Sequence, residues 1–253
     1  MKNMLAPLIA FFCLTFQLFA KETPVSVSVL SNDAKFIGSS MGGAQIVLRN
    51  TITGEILANG KTVGSTGDTA RIMDHPQSRD HVLKSEGSAS FDTTLDLDRP
   101  IQVTIEATGP LAQKQATSRI TETLTLLPGK NYADQNGIIL RLHGMVVDVL
   151  APPAHIKKEG ADSIQVEANV MKMCGCPIGE KTPWPIERYS VEAHIYMAGG
   201  ALLKVVDMTH TGEASQFAAE IPMPNSGVFE IIVTAYDEKS KDSGFDSTTV
   251  ILQ

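Results

Sequence analysis

Gly43-Ala-Gln-Ile-Val-Leu-Arg-Asn-Thr-Ile-Thr-Gly-Glu-Ile-Leu-Ala58 decides how the chain is read. Two short aliphatic runs, 44–49 and 55–58, flank Asn50-Thr51-Ile52-Thr53-Gly54, and Asn and Gly tolerate the backbone conformations of tight turns. The stretch predicts a β-hairpin, with glycines at 60, 64 and 67 after it. Upstream, Val25, Val27 and Val29 alternate with Ser26 and Ser28, the period of two that belongs to a half-buried strand. Downstream, strand-like runs recur at 88–97, 101–107, 122–126 and 138–150, then at 163–173, 190–197, 202–208, 216–221, 228–236 and 248–252, with a short one near Pro185. The chain therefore reads as all-β. Between residues 151 and 161 the alternation stops, and Pro152-Pro153 favours a stiff, extended linker. Two tandem β-sandwich domains are expected, 21–150 and 162–253, joined by 151–161. Residues 69–86 lack alternation and hold Gly, Pro, Ser and Asp in quantity, so no continuous strand is expected there.

The first twenty residues carry one charge, Lys2, and an apolar stretch from Leu5 to Phe19 broken by Pro7, Thr15 and Gln17. This is the plan of a cleavable signal peptide, 1–20, cut after Ala20. Cys13 is lost with it. A periplasmic or secreted location follows. No later segment reaches the roughly 20 apolar residues of a membrane helix, so no span is expected after processing. The net charge of −7 becomes one unit more negative once Lys2 is removed. Without a cluster of Lys and Arg to displace counterions, nucleic acid is not an expected partner.

Two stretches resemble known families. Gly43 to Ala58, followed by Gly60-Lys-Thr-Val-Gly-Ser-Thr-Gly67, resembles transthyretin-like and carboxypeptidase-regulatory-like β-sandwich domains of secreted proteins, which implies a non-catalytic sandwich; the polar insertion 68–86 departs from that pattern. Ser226-Gly-Val-Phe-Glu-Ile-Ile-Val-Thr-Ala-Tyr-Asp237 and Gly244-Phe-Asp-Ser-Thr-Thr-Val-Ile-Leu252 resemble bacterial immunoglobulin-like domains. The inter-sheet disulfide of antibody domains is absent, and Trp184 lies in a loop-like Pro-Trp-Pro, so only the architecture is implied. Such sandwiches serve adhesion, glycan binding, chaperoning and spacing alike.

The chemistry concentrates in Met171-Lys-Met-Cys-Gly-Cys-Pro177. After processing only Cys174 and Cys176 remain, in a compartment where unpaired thiols are seldom left idle. Along the preceding strand Ile164, Val166, Ala168 and Val170 share one face, which leaves Met171 and Met173 on the other. Thiolate and thioether donors select Cu(I), and Gly175 permits the tight backbone that brings two sulfurs together. If this strand pairs with the run at 190–197 as an antiparallel hairpin, His194 joins the same face. The candidate metal site is thus Met171, Met173, Cys174, Cys176 and His194, with copper as its ion; substituting the methionines should weaken Cu(I) binding and spare the thiols. The alternative is a short disulfide between Cys174 and Cys176, either bracing the loop or redox-active.

Other features are less specific. His75, His81 and Met73 fit no standard ligand spacing and read as a solvated loop. Asp237, Asp242 and Asp246 lack the glycine and glutamate of a calcium loop and read as a polar turn. No hydrolase, zinc-protease or phosphate-loop signature occurs. These readings favour an exported, non-enzymatic binding or accessory protein handling a soft metal. The competing expectations are an interaction scaffold for another exported protein or a glycan, and a thiol-redox protein.

Overall fold

The structure, a computed structural model, describes residues 20–74, 81–160 and 162–253. The expected signal segment before Ala20, together with His75, lies outside them.

Seven strands form the first sandwich: β1 (Lys21–Ser31), β2 (Gln45–Asn50), β3 (Ile56–Lys61), β4 (Phe91–Leu97), β5 (Ile101–Gly109), β6 (Ser118–Leu126) and β7 (Ile138–Leu142). One sheet runs β4-β1-β7, with β1 antiparallel to β4 and parallel to β7; the facing sheet runs β3-β2-β5-β6. The expected hairpin is present as β2–β3. Its turn is closed by Asn50, whose Oδ1 accepts the N–H groups of Ile52 and Thr53, while Gly54 takes a φ of +75°. Val25, Val27 and Val29 are buried as the alternation predicts. Ser26 and Ser28 are buried too, because β1 is the central strand of its sheet and the segment 81–90 covers its outer face: Lys84 Nζ donates to Ser26 Oγ at 2.8 Å. Among the described residues of 69–86 there is no strand, only a helical turn at Ala70–Asp74.

The second sandwich is built of β8 (Met145–Ala151), β9 (Ile156–Lys158), β10 (Ser163–Lys172), β11 (Tyr189–Met197), β12 (Leu202–Asp207), β13 (Thr209–His210), β14 (Gln216–Pro222), β15 (Gly227–Asp237) and β16 (Ser243–Leu252). Its sheets are β13-β14-β10-β8 and β12-β11-β15-β16-β9. With the short β9 set aside, the strands divide as in immunoglobulin domains: β8, β10, β13 and β14 form one sheet and oppose β11, β12, β15 and β16 in the other. The immunoglobulin-like plan read from residues 226–252 is the plan observed.

The sequence-based boundary at 151–161 differs from the pairing. The run 138–150, expected as one strand closing the first domain, is two strands broken at His143-Gly144, where Gly144 has a φ of +138°. The strand β7 stays in the first sandwich, whereas β8 pairs with β10 in the second. The described residues of that boundary, 151–160, are not a free linker, since β9 lies parallel to β16 and Thr248 Oγ1 donates to Pro152 O at 2.9 Å. The pattern misled because both halves of 138–150 are apolar and only Gly144 marks the change of sheet.

The two apolar cores interlock at this crossing. Val146 and Met173, from the second sandwich, pack among the side chains of the first, and Ala34 of the first packs into the second.

Candidate functional site

The strand β10 keeps its inward phase one residue pair further than its apolar residues do: Ile164, Val166, Ala168, Val170 and then Lys172 are all buried. The chain next folds back on itself. Lys172 O accepts from Gly175 N at 2.8 Å, Lys172 N donates to Cys176 O at 3.1 Å, and Met171 bridges to Pro177, which makes a small hairpin with the three-residue loop Met173-Cys174-Gly175. Such loops end on a residue in the left-handed region, which Gly175 supplies with a φ of +77°.

Within this turn Cys174 and Cys176 are joined, with an S–S separation of 2.15 Å. Both are buried in the core of the second sandwich, 1% and 4% exposed. Met171 and Met173 face the other way, into the core of the first, and the Met173 sulfur lies against Gly144. A third thioether reaches the turn from the first sandwich: a Cβ placed on Gly175 would sit 2.8 Å from Met41 Sδ. Met41, Met171 and Met173 thus belong to one apolar cluster around the Cys-Gly-Cys turn. Met41 was missed by sequence reasoning, and its only signal is the Gly42-Gly43 pair that lets its segment double back.

His194 is placed elsewhere. The strands β10 and β11 do not pair; β10 bonds to β14 and β8, and β11 to β12 and β15, because the chain crosses between sheets after Pro177. The His194 ring lies on the half-exposed face of its sheet, 3.1 Å from Glu192 Oε2 and 3.3 Å from Thr234 Oγ1. Among the described residues no group of three His, Cys, Asp or Glu side chains is arranged to hold a metal ion.

Beside the turn lies an ionic cluster for which the reading as a polar turn is corrected. Lys172 Nζ is fully buried and sits 3.1 Å from Asp237 Oδ2 and 3.2 Å from Asp242 Oδ2, both carboxylates likewise without exposure. Arg188 Nη2 is shared between Asp237 Oδ2 at 2.7 Å and Asp33 Oδ2 at 2.6 Å. Asp242 also accepts from Ser240 Oγ, Asn32 Nδ2 and Gly144 N, and contacts His143 Nδ1 at 3.1 Å. Trp184 Nε1 donates to Asp33 O at 2.9 Å. Asn32, Asp33 and His143 come from the first sandwich and the rest from the second, so the cluster clamps the two together. Asp246, the third acid of that hairpin, accepts from Val149 N.

Burial alone would raise the Asp237 carboxyl pKa. The Arg188 hydrogen bonds, the Lys239 N–H, Ser240 and the Lys172 charge outweigh it and hold the group well below the usual carboxylate range. A carboxyl depressed in the folded state contributes stability that is full above its unfolded value, about 3.9, and is lost as pH falls through that value toward the folded one. Denaturant midpoints followed downward from about pH 5 should therefore drop steeply below about pH 4, and Asp237→Asn should flatten that decline while lowering stability at neutral pH. An unchanged acid limb in the variant would remove Asp237 from the account.

No family model matches the chain, and no curated protein matches it. Among solved structures it is similar to fibronectin(III)-like modules of Clostridium thermocellum CbhA (13% identity, 90% of each chain, TM-score 0.31) and to the chicken interferon gamma receptor alpha chain (11%, 90% of this chain and 97% of that one, TM-score 0.34). It is also similar to titin domains z1z2 in complex with telethonin (11%, 91% and 96%, TM-score 0.27). Superpositions this loose carry nothing further, and the architecture rests on the strand pairing above.

Proposed function

We propose that this chain is an exported, non-enzymatic binding protein whose Cys-Gly-Cys turn is a redox-gated site for Cu(I). The observation that carries the reading is the Met41 thioether packed on Gly175, between two cysteines that the hairpin presents side by side. In the joined form the sulfurs have no thiolate to offer. Two-electron reduction frees a pair of thiolates next to a thioether, a soft donor set suited to Cu(I) rather than to oxygen-seeking ions. The imidazole of His194 takes no part in this arrangement.

Cu(I) competition against a chromogenic chelator tests it, with the protein reduced by a phosphine. Reduced wild type should withdraw Cu(I); the oxidised form and the Cys174→Ser/Cys176→Ser variant should not. Met41→Leu, which keeps bulk and both thiols, should weaken binding by about tenfold, and Met171→Ala and Met173→Ala measure how much the neighbouring thioethers add. Reduced wild type competing no better than the double-serine variant would overturn the reading. The burial of both cysteines in an apolar core favours a second account, an interaction scaffold in which the disulfide braces the hairpin; that outcome would support it.

A further inference from the structure

Over the cysteine turn the two sandwiches leave a cleft of about 310 Å³, at the lower end of the range of small-molecule sites. Its charge runs against that of the chain. The protein has a formal net charge of −7, yet among the described residues two lysines and no carboxylate line the cleft. Lys35, from the first sandwich, is half-buried; its Nζ donates to Thr69 Oγ1 at 2.9 Å and reaches Gly67 O at 3.5 Å, which leaves a third donor. Lys181, from the second, is exposed and makes no hydrogen bond or ion pair among the described residues. Hydroxyls of Ser40 and Thr66 add donors, and Pro183 with Trp184 supplies an apolar wall.

Ammonium groups on opposite walls, hydroxyls between them and an apolar side match one ligand chemistry. We infer that this cleft binds a small organic anion, carboxylate or phosphate, with Lys35 and Lys181 closing on its charge from the two sandwiches. The Arg188–Asp33 ion pair and the Asn32–Asp242 hydrogen bond tie the two walls together, so little ordering has to be supplied on binding. The inference is independent of the soft-metal reading, because it concerns the disulfide form and requires no copper.

Trp184 is the sole tryptophan and lies in the cleft wall, so its emission reports on occupancy directly. Oxidised, metal-free protein would be titrated with citrate and, separately, with inorganic phosphate, with potassium chloride as the ionic-strength control. A saturable change with citrate alone assigns the carboxylate class, with phosphate alone the phosphate class, and either is the expected result. Lys181→Gln, at an exposed position where folding is not at stake, should weaken binding several-fold, and adding Lys35→Gln should bring the loss to at least about tenfold. Emission that follows ionic strength in all three salts, or equal affinity in wild type and both variants, would overturn the inference.

Discussion

Lys172→Met is expected to lower folding stability by about 3–5 kcal/mol, since removing one partner of a buried ion pair leaves the others charged and unsolvated. Here two carboxylates are left, those of Asp237 and Asp242, neither with any exposure. Methionine matches the lysine stem in length, so the loss reports charge and not a cavity. Urea unfolding at neutral pH is the measurement, with the slope checked for constancy so that the midpoint alone carries the change. Combining Lys172→Met with Asp242→Asn should recover part of the loss, because one stranded charge is removed. A single-variant loss below about 1 kcal/mol, the scale of a solvent-exposed pair, would show that the cluster is not electrostatically dry.

Phe36→Ala is expected to cost a similar amount, about 3–5 kcal/mol, the range for deleting a buried aromatic ring. Phe36 is wholly buried, and with Leu30, Ile72, Leu83 and Ala89 it forms a small core under the irregular segment that follows β3. Its backbone N–H donates to Thr66 O, and Lys35 precedes it, so the ring anchors one wall of the lysine-lined cleft. The stability loss should therefore be accompanied by weaker citrate or phosphate response at Trp184. Stability lost with the response intact would separate the small core from the cleft.

Period-two patterning made the all-β class legible, because most strands have one apolar face to bury: the β2–β3 hairpin and Val25, Val27 and Val29 stand where the pattern put them, although on β1 the serines between the valines are buried as well. It could not distinguish one long apolar run from two strands of different sheets, and so residues 138–150 concealed the crossing at Gly144. The joined cysteines stood among the alternatives read from spacing. The placing of His194 rested on a strand pairing that spacing cannot decide, since consecutive strands of a sandwich often change sheet. The ionic cluster, in contrast, was written in the pattern. Lys172 continues the inward phase of Ile164 to Val170, and Asp237 continues that of Phe229, Ile231, Val233 and Ala235. A lysine and an aspartate in core phase at the same end of two facing strands must find each other or unfold the end. Met41 and Lys35 were out of reach, being brought to the site by the docking of one sandwich on the other.

That docking bears on how the molecule can be dissected. Cutting at Gly144, where the strand pairing changes hands, would divide the chain into two outwardly complete sandwiches. Yet Asn32, Asp33 and His143 would leave with the first piece, and Asp242 and Arg188 would stay in the second without them. Each fragment would also expose apolar side chains that now lie in the other's core, Ala34 on one side and Val146 with Met173 on the other. Modules that look interchangeable by strand count are here halves of one polar lock, and neither can be transplanted into a chimera without carrying its complement.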